Sequence, residues 1–171
     1  MSIVLEQNGR LQIDDKNYLI PELQQMVGFK QKNPYHPEDD LMEHTQQVVE
    51  LALLAQAEDT LLSIELIFAA IFHDIGKTEC WQVSKADPEH RTFYGHDLKS
   101  KRMFIEIDAK YGLSAKHNFD LEKVAWLIGQ HIRIMQFDQM RKFKQQELQE
   151  HPLFKELTVL RYCDEQGRKK K

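Results

Sequence analysis

Residues 61–72 read LLSIELIFAAIF. Wound into a helix, their apolar side chains cover nearly the whole circumference instead of one stripe. Such a helix is stable only when neighbours enclose it. The segment is therefore expected to be the buried central helix of a mostly helical protein. It runs directly into His73 and Asp74, with Gly76 placed to stop it. Two ionisable groups leaving a buried helix together need partners, because an uncompensated buried polar group costs roughly 2–7 kcal/mol.

The flanking sequence supplies further helices. Asp39 or Asp40 can cap a helix reaching about residue 56, and Asp59 can cap the central one. Later helices are expected at residues 95–111, closed by Gly112, at 120–132, near 138–149, and at 152–165 from Pro152. Asn8-Gly9 sits between two short apolar-rich runs, which signals a small β-hairpin at residues 2–13. Pro21 suits the first turn of a short helix ending near Gly28. Residues 77–95 lack periodicity and are expected to form a long loop, and loops of that length are often functional. No repeat, linker or second domain is visible. One all-α domain is expected over residues 1–167, with a basic tail at 168–171 that frays.

Composition narrows the function. The 171 residues include 23 Lys+Arg and 27 Asp+Glu, a net charge of −4. Setting aside Arg168, Lys169, Lys170 and Lys171 leaves 19 basic residues against 27 acidic ones, a balance of −8. An acidic body argues against duplex DNA as a partner. No apolar run approaches the roughly 18–20 residues of a membrane span, and the N-terminus lacks the basic and apolar regions of a secretory signal. Cys80 and Cys163 form no CxxC pair, so a disulfide framework and a zinc ribbon are not expected and a cytoplasmic location is.

Five stations carry candidate chemistry: His44, His73-Asp74, His96, His131 and Asp164. His44 shares a helical stripe with Leu41, Val48 and Leu51; His131 follows Val124, Leu127 and Ile128; Asp164 follows Leu157 and Leu160; His96 leads a weaker stripe with Met103 and Ile107. Residues three and four apart share a helix face, so each group points toward the core. Alone, any of these histidines reads as a satisfied core residue, and Asp164 as the partner of an arginine. Together, inward imidazoles and carboxylates from separate helices can satisfy one another around divalent cations.

The pattern H…HD…H…H…D, centred on His73-Asp74-Ile75-Gly76-Lys77, resembles the HD-domain superfamily of metal-dependent phosphohydrolases, over residues 33–165. NPYHPEDDLMEHT (33–45), YGHDLKS (94–100) and the RYCD of the last helix resemble the HD domain of bacterial tRNA nucleotidyltransferases, the CCA-adding enzymes. Those enzymes carry a nucleotidyltransferase head for which 171 residues leave no room, so nucleotide addition is not expected. The resemblance implies an all-helical bundle in which His44, His73, Asp74 and Asp164 form the core metal site. Asp74 would bridge to a second ion held by His96 and His131. One or two divalent ions are implied, with Mn, Ni, Co, Mg and Fe all open.

A bound divalent ion lowers the pKa of water from about 15.7 to near 7, and the resulting hydroxide can attack phosphorus. Lys77, one turn past His73, is a candidate to reach a phosphate oxygen or assist the leaving group. Arg91 is a weaker phosphate-binding candidate, and His36 a residue that lines the site. Trp81, Phe93 and Tyr94 are read as a lid or stacking wall, or as core. His90, His117 and His151 are expected at the solvent surface. The expected activity is hydrolysis of a phosphate ester on a nucleotide or RNA end, including a 2′,3′-cyclic phosphate. Two alternatives stay open: an HD-type di-iron oxygenase, suggested by the same ligand set with Tyr35 and Glu38 nearby, and a non-catalytic nucleotide- or RNA-binding module.

Overall fold

The computed structural model describes residues 3–5, 11–13, 20–36 and 40–168. Strands β1 (Ile3–Leu5) and β2 (Leu11–Ile13) pair antiparallel, with Leu5 opposite Leu11. This is the expected hairpin, and its Asn8-Gly9 turn lies outside the described residues. Helix α1 (Pro21–Gln24) begins on a proline whose fixed φ suits a first turn. Helix α2 (Leu41–Glu58) follows, capped by Asp40, whose Oδ1 accepts the Met42 and Glu43 N–H groups at 3.0 and 3.1 Å.

Helix α3 (Ile64–Phe72) is the central element. Every residue in it except Ile64 is buried, and it packs against α2 and three later helices. Its isoleucines and phenylalanines are mediocre helix formers, each costing up to about 0.7 kcal/mol against alanine. Burial of each such side chain contributes roughly 1.5–3 kcal/mol, so tertiary packing decides the helix. It begins after Ser63, not at Asp59. Asp59 instead ends α2, where its carboxylate accepts the Leu61 N–H at 3.1 Å and pairs with Lys155 at 2.5 Å. A short acidic side chain that finds a backbone N–H two residues on makes a local turn in place of a cap.

Beyond Phe72 a tight turn leads into α4 (Lys77–Cys80). Gly76 has φ −63°, so it does not stop α3 by a left-handed turn. Its lack of a side chain serves a close approach: a Cβ there would sit 2.6 Å from both His96 O and Ser100 N. The expected long loop contains α4 and a small second hairpin, β3 (Gln82–Val83) with β4 (Arg91–Thr92). Strands of two residues are too short to leave a period in sequence.

The remaining helices are α5 (His96–Tyr111), α6 (Leu113–His117), α7 (Leu121–Met135), α8 (Lys142–Gln149) after a 3-10 turn at Phe137–Gln139, and α9 (Phe154–Gly167). Gly112 closes α5 at φ 64°, as expected, and Asp120 caps α7. Helix α2 packs on α9, α5 on α7, and α3 lies among all four. Gly167 lets α9 approach α2, since a Cβ there would meet Val48 Cγ2 at 2.9 Å. The fold is an all-α bundle with small hairpins. No helix among the described residues is long and apolar enough to cross a membrane.

Candidate metal centre

The bundle draws the predicted stations together. His44 lies in the first turns of α2, His73 and Asp74 just past α3, His96 at the start of α5, His131 in α7 and Asp164 in α9. All six are buried. The apolar stripes fix this, because each station shares its helix face with residues that must enter the core.

Three of the histidines are oriented alike. His73 Nδ1 lies 2.8 Å from Ala70 O, His96 Nδ1 2.7 Å from Phe93 O, and His131 Nδ1 2.7 Å from Ile128 O. A carbonyl oxygen only accepts, so each Nδ1 donates its proton and each neutral ring turns an Nε2 lone pair inward. His73 Nε2 is buried and makes no hydrogen bond among the described residues. His96 Nε2 and His131 Nε2 face each other at 3.2 Å.

Two groups of three ligand atoms result: His44, His73 and Asp164, and Asp74, His96 and His131, each within 4.8 Å of one another. Asp74 joins them. Its Oδ1 is 3.1 Å from His96 Nε2 and 3.6 Å from His131 Nε2, while Oδ2 is 3.3 Å from His73 Nε2 and 3.6 Å from His44 Nε2. His44 Nε2 is also 3.2 Å from Asp164 Oδ1. Inward lone pairs and carboxylates at these spacings fit divalent cations with ligands about 2 Å away. Backbone acceptors already fix the second nitrogen of three of the rings, as metal-binding imidazoles require.

Two cations border the clusters. Lys77 is 4% exposed, with Nζ 2.7 Å from Asp74 Oδ2, 2.8 Å from Gln31 Oε1 and 3.3 Å from His36 Nε2. Burial raises the Asp74 carboxyl, but the charge of the Lys77 ammonium beside it acts the other way, and the carboxyl stays well below the usual carboxylate range. Arg168 grips Asp164 by two nitrogens: Nε is 3.0 Å from Oδ1, and Nη2 is 2.9 and 2.8 Å from Oδ1 and Oδ2. Burial again raises the Asp164 carboxyl, while the His44 contact and the Arg168 charge hold it far below.

Asp74, Asp164 and His96 open onto a cleft of about 400 Å³, within the range of small-molecule sites. Lys77 and His36 line it too, and Phe93 forms an apolar wall. Tyr94 is 83% exposed at its mouth, and Tyr35 borders it as well. Glu38 lies outside the described residues. Arg91 does not line the cleft. Its guanidinium stacks over Trp81 at 4.3 Å and donates to Lys30 O at 2.6 Å, which ties the second hairpin to the segment before α2. His90, His117 and His151 are partly exposed, the His90 side chain by 40%. Sequence reasoning missed Gln31 and Arg168. Arg168 had been grouped with the tail, yet it stands four residues after Asp164, the spacing of a helical ion pair. Gln31 lies in an irregular segment and leaves no such signal.

Comparison with known proteins places this geometry. Multifunctional CCA protein of Neisseria meningitidis serogroup C is 34% identical over 107 residues, 63% of this chain and 22% of the relative. Those of Ralstonia nicotianae and Dechloromonas aromatica are 38% identical over 91 residues and 33% over 94, spanning 52% and 54% of this chain and 18% and 20% of the relatives. The chain thus spans about a fifth of the length of these relatives. No solved structure matches it. The HD domain matches residues 41–165, from the start of α2 to Glu165. With His73-Asp74 at the end of its central helix and that match over most of its length, the chain belongs to the HD domain family.

Proposed function

We propose that this protein is a metal-dependent phosphohydrolase acting on a phosphate ester of a nucleotide or RNA end, 2′,3′-cyclic phosphates included, in the cytoplasm. The observation that carries this reading is the pair of buried three-residue groups beneath the cleft, with Asp74 of one group 3.3 Å from His73 Nε2 of the other. His44, His73 and Asp164 would hold one divalent ion, and Asp74, His96 and His131 would hold a second. The ions, when bound, supply Lewis acidity and an activated water for attack at phosphorus. Likeness to multifunctional CCA proteins supports a nucleotide or RNA-end substrate. The hydrolytic unit is a single domain with its HD core at 33–165, and Arg168, read from sequence as part of the tail, belongs with it.

The chain's own residues do the rest. His73, His96 and His131 keep their Nδ1 protons on backbone carbonyls, so their rings hold fixed directions and tautomers. Lys77 orients Asp74 through its 2.7 Å contact and adds positive potential beneath the phosphate. Phe93 excludes water from the Lys77 side, its ring centroid 5.5 Å from Nζ. His36 is placed to meet the substrate where the cleft passes Lys77.

The test is turnover by purified protein with Mn²⁺, Ni²⁺, Co²⁺ or Mg²⁺ on 2′,3′-cyclic nucleotides, nucleoside monophosphates and a generic phosphomonoester. Metal-dependent hydrolysis that is lost in His73→Ala is expected. No turnover on any of them, with His73→Ala behaving as wild type, overturns the reading. Bound iron near two per chain with O₂ uptake would point instead to oxygenase chemistry. Nucleotide binding unchanged in His73→Ala and Asp74→Ala, with no turnover, would point to a binding module.

A further inference from the structure

Two basic side chains line the cleft, Lys77 and Arg168. They are not equivalent. An ammonium has three protons to give, and Lys77 Nζ has three acceptors within 3.3 Å: Asp74, Gln31 and His36. Lys77 is thereby committed to the protein. A guanidinium presents five N–H donors in a planar fork. Arg168 uses Nε and Nη2 on Asp164, and Nη1 makes no hydrogen bond among the described residues. The side chain keeps 28% of its surface exposed while Asp164 beneath it keeps 3%.

We propose that Arg168 is the substrate-anchoring arginine of this cleft. Nε and Nη2 fix the Asp164 carboxylate, and Nη1 receives an oxygen of the substrate phosphate. This rests on the phosphohydrolase reading and assigns the phosphate its protein contact. Three features support it. Arg168 borders both the cleft and one of the three-residue groups, so a phosphate oxygen at Nη1 lies beside the reacting centre. Its bidentate grip on Asp164 prevents the fork from turning, so little side-chain freedom remains to be lost when an anion binds. Gly167 lets the end of α9 approach α2, and this holds Arg168 over the site: a Cβ at 167 would meet Val48 Cγ2 at 2.9 Å and His44 Cε1 at 3.6 Å.

The experiment uses the full chain loaded with Mn²⁺, as wild type, Arg168→Lys and Arg168→Gln, each checked for its circular dichroism and melting temperature. Inorganic phosphate binding is measured by calorimetry, Mn²⁺ affinity by titration, and KM and kcat on whichever phosphate ester wild type hydrolyses. The expected result in Arg168→Gln is phosphate binding weakened at least tenfold, KM raised by a similar factor with a smaller change in kcat, and Mn²⁺ affinity lowered severalfold. Arg168→Lys retains charge without the fork and should fall between the two. Phosphate affinity within twofold of wild type in a folded Arg168→Lys or Arg168→Gln overturns the proposal, whether or not the wild type turns over. So does wild type that binds no phosphate. Phosphate binding that depends on Arg168 in a protein hydrolysing no ester upholds the anion site and removes the hydrolase reading. Turnover with KM unchanged by either variant does the reverse.

Discussion

His96 and His131 point their Nε2 atoms at each other across 3.2 Å, while each ring's Nδ1 donates to the carbonyl three residues before it. Two neutral rings held this way bring lone pair against lone pair, and a cation between them relieves the repulsion. Mn²⁺ is therefore expected to raise the melting temperature. Calorimetry should resolve two binding events in wild type, and His131→Gln should weaken one of them about tenfold or more. Equal ion uptake and equal thermal shifts in the two proteins would remove His131 from the ligand set.

Gly76 gives a second prediction, through packing. A methyl group at 76 meets backbone atoms of His96 and Ser100, and backbone cannot swing aside. Gly76→Ala should cost about 1–3 kcal/mol in chemical denaturation, the usual range for overpacking. Gly167→Ala meets a valine methyl first and should cost less. Equal denaturation midpoints for wild type and Gly76→Ala would show that α4 and α5 are not held in contact.

Acid should weaken the fold through its buried carboxylates. Asp74 and Asp164 have folded pKa values below their unfolded ones. Their contribution is complete above the unfolded carboxyl value of about 3.9. It is lost as pH falls from there through the depressed folded values. In urea unfolding between pH 7 and pH 3, wild type should lose stability towards the acid end. Asp164→Asn should start lower at pH 7, because Arg168 loses its ionic partner, and should decline less steeply. Parallel curves would contradict the role given to Asp164.

The cysteines offer a check on packing at α9. Burial, with the Asp164 charge beside it, pushes the Cys163 thiol up to about 12, while Cys80 is only half-buried, with a smaller rise. Thiolates are the reactive form. A thiol reagent at pH 8 should therefore titrate one cysteine in native protein and two in denaturant. Prompt reaction of both without denaturant would mean that α9 does not cover Cys163.

The parts of this molecule that periodicity governs were legible in the sequence. His44, His96, His131 and Asp164 each sit on an apolar helical stripe, and the structure buries all of them. The Asn8-Gly9 pattern announced the first hairpin, and Gly112 the end of α5. Local competition hid the rest. Asp59 preferred a turn with Leu61, so Ser63 precedes α3. Gly76 looked like a terminator although its smallness serves contact with α5. Arg91 looked like a phosphate ligand, yet the Trp81 face and the Lys30 carbonyl hold it outside the cleft. Gln31 gained its role only when an irregular segment folded over Lys77.

The candidate centre takes His44 from α2 and Asp164 from α9, 120 positions later, with His73, Asp74, His96 and His131 from the elements between. Contacts this remote in sequence require closure of long loops before they are rewarded, which slows folding. A chain that has collapsed without docking α9 can bring its imidazoles near one another, but it cannot close the group containing Asp164. The group of Asp74, His96 and His131 closes without α9, so in refolding after dilution from denaturant any ion held by His44, His73 and Asp164 would be taken up last, and that later step would report the completion of the bundle itself.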